Sequence, residues 1–225
     1  MIRLEGVSRV FGRGAGRSVA LENVRLEIAP REFVAVAGPS GSGKTTLLNL
    51  VGALDEPTSG TVLVEGRDLA GLDEDARAVL RLERIGFVFQ HFHLVPVLSA
   101  FENVEFPLLF RKGTAAAARR RAASDALERV GLAGQARRRP AELSGGEQQR
   151  VAVARAMAGE PALVLADEPT ANLDHESGAG VVELMRELNR ERGTTFLYAT
   201  HDAELIALAD RVVRLRDGRV EAEPS

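Results

Sequence analysis

Apolar and polar positions alternate near the start of the chain and then give way to a continuous apolar run. Residues 19–29 place Val24, Leu26 and Ile28 on one side of a segment whose other side is polar, which is typical of a half-buried strand. Residues 33–37, FVAVA, are apolar throughout and lead into a glycine-rich stretch followed by TTLLNLVGAL. A buried strand that feeds a helix is the first half of a βα unit, so the pattern predicts a parallel core sheet.

Helical signals replace the strand pattern in the middle of the chain. Ser99 and Glu102 have the spacing of a capping box. Residues 114–130 are rich in alanine and arginine, which favour helix. We therefore expect an inserted helical lobe at residues 93–156.

The alternation of strands and helices resumes after this lobe. Strands are predicted at LVLAD (163–167) and TTFLYAT (194–200), with a helix over residues 176–192 between them. An Asp-Gly pair at residues 217–218 predicts a hairpin turn.

Length and composition fit one globular domain. Hydrophobic residues make up 45% of the 225 residues and charged residues 27%, with both signs interspersed, which is the balance of a chain that folds. We expect an α/β fold over residues 1–225, in which residues 1–92 and 157–225 form the core around the helical lobe.

Charge and hydropathy limit the partners. A net charge of −3 provides no basic field for nucleic acid, and the arginine runs at 119–121 and 137–139 lack interleaved aromatic residues, so we expect solvated helix faces. No apolar stretch approaches the roughly 20 residues that span a bilayer, so no direct membrane insertion is expected. The chain has no cysteine, which excludes disulfides, thiolate metal sites and a cysteine nucleophile.

A glycine-rich segment, GPSGSGKT at residues 38–45, carries the first chemical signal. Gly41 and Gly43 allow the backbone to curl so that successive N–H groups face one anion, Lys44 reaches terminal phosphates, and Thr45 offers a hydroxyl to Mg²⁺. A flexible surface loop is the alternative, but the strand before it and the helix after it favour binding of a nucleoside triphosphate. The residues predicted to bind the nucleoside triphosphate here are Gly38, Pro39, Ser40, Gly41, Ser42, Gly43, Lys44, Thr45 and Thr46.

Two carboxylates, Asp167 and Glu168, follow the predicted strand LVLAD. At this end of a doubly wound sheet their side chains emerge beside the phosphate loop. Asp167 can hold Mg²⁺ through its water shell, and Glu168 is placed to act on an attacking water as general base. Alone, the pair would indicate a solvated strand end stopped by Pro169; the phosphate loop makes that alternative unfavourable.

The segment LSGGEQQR at residues 143–150 contains two glycines that helix capping alone does not explain. Ser144 and Glu147 again have capping-box spacing, but capping gives no reason for Gly145 and Gly146, which cost helix stability unless a backbone must approach something closely. A hydroxyl, bare N–H groups and a helix N-terminus predict a second anion site.

Taken together, these segments resemble the ABC ATPase family, whose six motifs occur in order. They are a Walker A motif at 38–45, a Q-loop glutamine at Gln90, the signature at 143–150, the Walker B strand with Glu168, a D-loop at 171–174 and a switch histidine at His201. GALDEPTSG, GFVFQHFHLVPVLSAFENVEFPL, LVLADEPTANLD and ELNRERGTTFLYATHD are similar to ATPases of the lipoprotein-release, macrolide-export and cell-division FtsE types.

The resemblance implies a P-loop NTPase fold with an N-terminal antiparallel β subdomain and a homodimer that sandwiches two ATP molecules. It implies membrane subunits as partners and a location on the cytoplasmic face of the membrane. The catalytic residues implied are Glu168, His201, Lys44 and Gln90; the Mg²⁺ residues are Thr45, Gln90 and Asp167; the residues that contact the partner's ATP are Ser144, Gly145, Gly146 and Glu147; and Asp174 belongs to the D-loop.

Two positions depart from the family pattern. Phe11 stands where the family commonly has an adenine-stacking tyrosine; it can stack but has no hydroxyl, and the alternative is an apolar residue that ends an edge strand. Ala171 stands where relatives often have glycine or serine, a change that bears on the fit across the dimer without abolishing function.

The histidines differ in what they indicate. His91 and His93 lie two apart, which on a strand puts them on one face, but no further ligands accompany them, so contact with a membrane partner or plain exposure is expected. His201 follows an apolar strand and should meet Glu168 at one sheet edge, where the resemblance implies a γ-phosphate sensor.

An ABC ATPase acting on DNA would carry a long coiled-coil insertion, and one acting on ribosomes usually has two cassettes. A kinase or GTPase would not need LSGGEQQR or His201. A mechanical switch of the FtsE type, which moves no solute, remains open beside transport.

Overall fold

Two β-sheets organise residues 1–12 and 16–221, the part of the chain described in this computed structural model. The strands are β1 (Ile2–Phe11), β2 (Ser18–Ile28), β3 (Phe33–Ala37), β4 (Ser59–Val64), β5 (Arg67–Asp68), β6 (Ile85–Phe89), β7 (Leu163–Asp167), β8 (Thr195–Thr200), β9 (Arg211–Arg216) and β10 (Arg219–Val220). The helices are α1 (Lys44–Val51), α2 (Glu74–Arg84), α3 (Ala100–Glu105), α4 (Ala116–Arg129), α5 (Gly145–Met157), α6 (His175–Arg192) and α7 (Ala203–Ile206).

The larger sheet has six strands in the order β10-β9-β3-β8-β7-β6, and all neighbours except β10 and β9 are parallel. The predicted parallel core is therefore confirmed. β3 lies between β8 and β9 and is buried along its whole length, as its uninterrupted apolar sequence predicts. The carboxyl ends of β3, β6, β7 and β8 meet at one edge of this sheet, which is where ligands bind in such folds.

The smaller sheet is antiparallel, with strand order β2-β1-β4-β5. Val24, Leu26 and Ile28 of β2 are buried, which confirms the alternation predicted for this strand. β1 lies between β2 and β4, but its pairing with β4 covers only residues 2–8. At Phe11 the described pairing is with Ser18 of β2, so the alternative that Phe11 ends an edge strand stays a prediction.

Two hydrophobic clusters lie on opposite faces of the larger sheet. Phe33, Phe196 and Tyr198 face the helical lobe and α6, with ring centroids 5.0 to 5.6 Å apart. Val34 and Leu197 face the other way, into a core shared with α1 and the smaller sheet. Alternate residues of β3 and β8 thus pack into the two clusters on opposite faces of the sheet.

Helices α3, α4 and α5 form the region predicted as a helical lobe. Ser99 and Glu102 make the predicted capping box at the start of α3, and α4 confirms the helix expected in the alanine- and arginine-rich stretch. Helix α5 extends to Met157 and packs against β6, where a Cβ at Gly86 would come within 2.5 Å of the Ala156 carbonyl. The lobe and the sheet therefore share one apolar cluster.

The β9–β10 hairpin connects the two sheets to the glycine-rich loop. Asp217 and Gly218 have φ angles of +48° and +75°, which fits the two-residue turn predicted from the Asp-Gly pair. The Gly218 N–H donates to the Ser42 carbonyl at 3.0 Å, and the Gly218 carbonyl accepts from the Glu22 N–H at 2.8 Å.

None of the helices within residues 1–12 and 16–221 is both long enough and apolar enough to cross a membrane.

Candidate active site

The glycine-rich loop at residues 38–43 connects the buried end of β3 to the start of α1. Gly41 and Gly43 have φ angles of +79° and +105°, which confirms the predicted curl of the backbone. Packing adds a second requirement, because a Cβ at Gly43 would meet the Ala20 carbonyl at 2.5 Å and one at Gly38 would meet the Leu215 carbonyl at 2.2 Å. Strands β2 and β9 thus hold the loop in one shape.

Lys44 places its ammonium at the centre of this loop. Its Nζ donates to the carbonyls of Gly38 at 2.8 Å and Pro39 at 3.1 Å, and the residue is only 6% exposed. The hydroxyl of Ser42 is buried with no hydrogen-bond partner in the described residues. Buried polar groups are ordinarily paired, so a buried cation beside an unpaired hydroxyl fits a phosphate group that accepts from both.

Thr45 and Asp167 bring two oxygen donors together. The Thr45 hydroxyl donates to Asp167 Oδ1 at 3.2 Å. Burial raises the pKa of Asp167, and the neighbouring Glu168 raises it further, while the Thr45 hydrogen bond opposes both. Hydroxyl and carboxylate oxygens are the hard ligands that Mg²⁺ prefers, so this donor set fits the metal. A bound cation would offset the cost of keeping the half-buried carboxylate ionised.

Glu168 is held by two basic side chains. His201 Nδ1 lies 3.0 and 3.1 Å from its two carboxylate oxygens, and Lys44 Nζ lies 3.4 Å from Oε1. The φ angle of Glu168 is +45°, which is uncommon for a residue with a side chain and is typical of functional sites. The Glu168 N–H donates to the Ala199 carbonyl at 3.1 Å. The meeting of Glu168 and His201 at one sheet edge is therefore observed, while their roles stay predictions.

Gln90 directly follows β6, in which Phe89 pairs with Asp167 in register. The residue is therefore at the same sheet edge as the two carboxylates, and it is half-buried. Its carbonyl accepts from Asn172 Nδ2 at 2.8 Å. Gln90 thus connects, through its backbone, to the segment that follows β7.

His91 and His93 do not lie on a strand, because β6 ends at Phe89 and the chain turns. His91 Nδ1 lies 3.1 Å from Asn172 Nδ2, whereas the His93 ring packs on the Phe89 ring with centroids 4.9 Å apart. The two side chains therefore do not share a face in the way a strand would impose. Among the described residues, no group of three His, Cys, Asp or Glu is arranged to hold a metal.

The signature segment forms the N-terminus of α5. The predicted capping box is confirmed: Ser144 Oγ accepts from the Glu147 N–H at 3.2 Å, and the Glu147 carboxylate accepts from the Ser144 N–H at 2.8 Å. A Cβ at Gly145 would lie 3.3 Å from the Leu173 side chain, which is a tight contact. A Cβ at Gly146 would lie 3.4 Å from the Ser177 side chain, which is close to an ordinary van der Waals contact. Packing within one chain therefore accounts poorly for the second glycine.

Asp174 is the N-cap of α6. Its Oδ1 accepts from the Ser177 N–H at 2.9 Å, and hydrogen bonds with Ser177 lower its pKa. The D-loop at residues 171–174 therefore begins a long helix and lies against the signature glycines in the same chain.

Phe11 ends β1 opposite Ser18 of β2, and the residue is 42% exposed. The Arg9 guanidinium carbon lies 4.6 Å from the ring centroid, so one aromatic face already carries a cation–π contact. Stacking of adenine on Phe11 stays a prediction.

Three polar side chains that the sequence analysis did not select contact the site's loops. Gln149 is completely buried in α5 and donates to the Pro169 carbonyl. Arg155, also in α5, donates to the carbonyls of Phe92 and His93, and Asn172 contacts Gln90 and His91. The signal available in sequence was one arginine within the otherwise apolar run VAVARAM.

Comparison with known proteins agrees with this geometry. Residues 21–171 match the ABC transporter family. Over 222 residues the chain is 49% identical to the lipoprotein-releasing system ATP-binding protein LolD of Anaeromyxobacter dehalogenans, covering 99% of this chain and 93% of that protein. It is 48% identical to the macrolide export ATP-binding/permease protein MacB of Rhodopseudomonas palustris, again over 99% of this chain, but it spans only 34% of that relative's length.

Solved structures give the same result. The dimeric ABC transporter cassette MJ0796 superposes with a TM-score of 0.90 at 43% identity, covering 100% of this chain and 98% of that one, and a second dimeric structure of it is a post-hydrolysis state bound to ADP and Pi. The chain therefore belongs to the ABC transporter family, as an ABC ATPase that binds and hydrolyses ATP.

Proposed function

We propose that this chain is the ATPase of a membrane transport complex of the lipoprotein-release or macrolide-export type, and that two copies assemble head-to-tail around two ATP molecules. The names of the similar proteins LolD and MacB support the type of complex. The observation that carries the dimeric arrangement is the dimeric form of the similar cassette MJ0796, which is 43% identical over the whole of this chain. Within one chain, Ser144 and Glu147 only cap their own helix, and the space at Gly146 is not filled by a tight contact, which fits a second chain's ATP as the group that the signature meets.

ATP binding is assigned to the loop and to α1. The backbone N–H groups of residues 38–46, the Lys44 ammonium and the unpaired Ser42 hydroxyl would receive the phosphates. Lys44 would exchange its bonds to Gly38 and Pro39 carbonyls for phosphate oxygens. Thr45, Asp167 and Gln90 would hold Mg²⁺, which supplies charge neutralisation at the phosphate oxygens when bound.

Hydrolysis is assigned to Glu168 and His201. The Glu168 carboxylate accepts a proton from the attacking water, while the bond from the γ-phosphorus to the bridging oxygen breaks to give ADP and phosphate. His201 Nδ1 contacts both carboxylate oxygens and so fixes the plane of the base. We assign its Nε2 to the γ-phosphate. Because the carboxylate and the phosphate both accept, His201 donates to the two at once when both of its ring nitrogens carry a proton.

The signature of one chain would complete the site of the other. Ser144, Gly145, Gly146 and Glu147 present a hydroxyl and a helix N-terminus, which together attract an anion. A γ-phosphate bound from both sides favours closure, and its departure removes those charge-assisted hydrogen bonds. The dimeric form of the similar cassette MJ0796 supports this arrangement, in which Asp174 would lie near the interface.

Coupling to the membrane is assigned to Gln90 and the helical lobe, residues 93–156. Gln90 stands where the chain leaves the sheet for the lobe, and the lobe shares an apolar cluster with the sheet. Closing and reopening of the dimer would move the lobes and, with them, integral membrane subunits at the cytoplasmic face of the membrane.

The experiment is purification of the tagged full chain from detergent-solubilised membranes, with an ATP analogue in every buffer at about 1 mM, the upper end of ordinary KM values. We expect an integral membrane protein to copurify and to stimulate ATP hydrolysis in proteoliposomes. Copurification of ribosomes or nucleic acid, with no membrane protein and no stimulation, would contradict the proposal.

A further inference from the structure

The turn that follows β6, residues 89–93, is held by side chains from other elements. Asn172, in the segment after β7, donates to the Gln90 carbonyl at 2.8 Å. Two donors come from α5: Gln149 Nε2 lies 3.4 Å from the Phe89 carbonyl, and Arg155 Nη2 lies 2.8 Å from the Phe92 carbonyl, while Arg155 Nη1 donates to the His93 carbonyl. The turn carrying Gln90 is therefore attached to the signature helix at both its ends.

The backbone of this turn is strained. Phe92 and His93 have φ angles of +59° and +47°, although neither is a glycine. A hydrogen bond from the His93 N–H to the His91 carbonyl closes a three-residue turn around Phe92. Turns of this hand are rare, and such conformations persist only when surrounding contacts impose them.

Arg155 makes the contacts that impose this conformation. It is half-buried, burial lowers its pKa, and within residues 1–12 and 16–221 it forms no ion pair with a carboxylate. Placing a cation there without a counter-charge costs stability, and an apolar side chain of similar length would fill the same space. Its two hydrogen bonds fix the two strained residues.

We propose that Arg155 is the positioning residue for Gln90, which it holds at the metal site by fixing the turn at residues 89–93. The inference rests on the proposed assignment of Gln90 to Mg²⁺. Arg155 lies on α5, about 16 Å along the helix axis from the N-cap Ser144 at 1.5 Å per residue. A displacement of the signature in one chain is therefore transmitted to the Gln90 turn of the same chain, and so to its own nucleotide.

The test is calorimetric binding of a non-hydrolysable ATP analogue to the full chain, with Mg²⁺ and with EDTA. The variants are R155M, Q90A and the double variant. R119M is the matched control, because Arg119 is also half-buried and donates to a backbone carbonyl, that of Thr114, at 2.7 Å.

In R155M we expect unchanged affinity in EDTA and a loss of about threefold to thirtyfold in the affinity gained from Mg²⁺. Q90A should show a loss of the same kind, and the double variant should match Q90A alone, because Arg155 acts through Gln90. R155K keeps the charge but has one donor centre, so it should recover part of the loss. If R155M does not fold, R155K replaces it in the comparison with Q90A and the double variant.

An unchanged Mg²⁺ gain in R155M overturns the inference, as does a loss that persists in the Q90A background or that appears equally in EDTA. A normal Mg²⁺ gain in Q90A removes Gln90 from the metal site and overturns the inference too. That outcome leaves the ATPase assignment intact, since the assignment depends on Glu168.

Discussion

Replacement of Glu168 by glutamine isolates the chemical step from nucleotide binding. The amide keeps the shape of the carboxyl group but cannot accept the proton of the attacking water. Glu168 now contacts His201 Nδ1 at 3.0 Å and Lys44 Nζ at 3.4 Å, and its side chain is 18% exposed. The substitution therefore removes one negative charge from a shielded position beside the phosphate loop while leaving the loop itself unchanged.

The two measurable parameters should move differently. Loss of a general base lowers turnover by about 10²-fold or more, which corresponds to about 2.7 kcal/mol of transition-state stabilisation. The Lys44–Glu168 attraction is about 5 kcal/mol before desolvation, at an effective dielectric constant of about 20 and the observed separation, and desolvation offsets much of it. Without that carboxylate, Lys44 is free to pair with phosphate and repulsion of the phosphates falls, so ATP affinity should stay equal or rise.

The assay is steady-state phosphate release together with ATP binding by equilibrium dialysis. Glu204→Gln is a matched control, because Glu204 also contacts a histidine, His175, at 2.7 Å but lies outside the site; it should leave turnover unchanged. Near-normal turnover in E168Q, or an ATP affinity that falls together with turnover, would refute the assignment of Glu168 as general base.

Three further experiments test the remaining assignments. Mixing a Lys44→Ala chain with a Ser144→Arg chain should restore ATPase activity that neither parent has, because the heterodimer keeps one intact composite site; demonstrated heterodimers without activity would argue against sharing, unless both sites must act together. Gln90→Ala should keep ATP binding and some hydrolysis by the isolated chain but lose stimulation by the membrane subunits, and equal stimulation in wild type and variant would place coupling elsewhere. Asp167→Asn should weaken Mg²⁺ binding about 10- to 100-fold. In EDTA at neutral pH it should nevertheless raise the melting temperature. Burial raises the pKa of Asp167, so the ionised carboxylate destabilises the fold as pH rises, and asparagine carries no such charge. That thermal gain should shrink as pH is lowered, and a melting temperature that falls at neutral pH would contradict it.

Local patterns predict the elements that form this site. The apolar run of β3, the glycines after it and the strand-end carboxylates each occupy a few consecutive residues, so their conformations depend mainly on neighbours in sequence. The positive φ angles of Gly41 and Gly43 and the capping box of Ser144 follow directly from residue type.

Features that depend on distant partners could not be predicted in this way. The position of β1 inside its sheet depends on pairing with β4, a strand that begins only at Ser59. The turn containing His91 and His93 takes its shape from Arg155 and Asn172, which lie far along the chain. Periodicity within a window of ten residues carries no information about either contact.

The order of the strands bears on how the protein is made. Within residues 1–12 and 16–221, β3 pairs only with β8 and β9, and the Gly38 backbone lies against Leu215 of β9. During synthesis at about 5–20 residues per second, the interval between Gly38 and Leu215 leaving the ribosome is on the order of 10 to 40 s. Until β8 emerges, both edges of this apolar strand lack their partners, and until β9 emerges one edge still does; an unpaired edge is open to aggregation. A chaperone that binds extended apolar segments should therefore protect β3 in the nascent chain, and the nucleotide loop can acquire its native shape only after the β9–β10 hairpin has emerged.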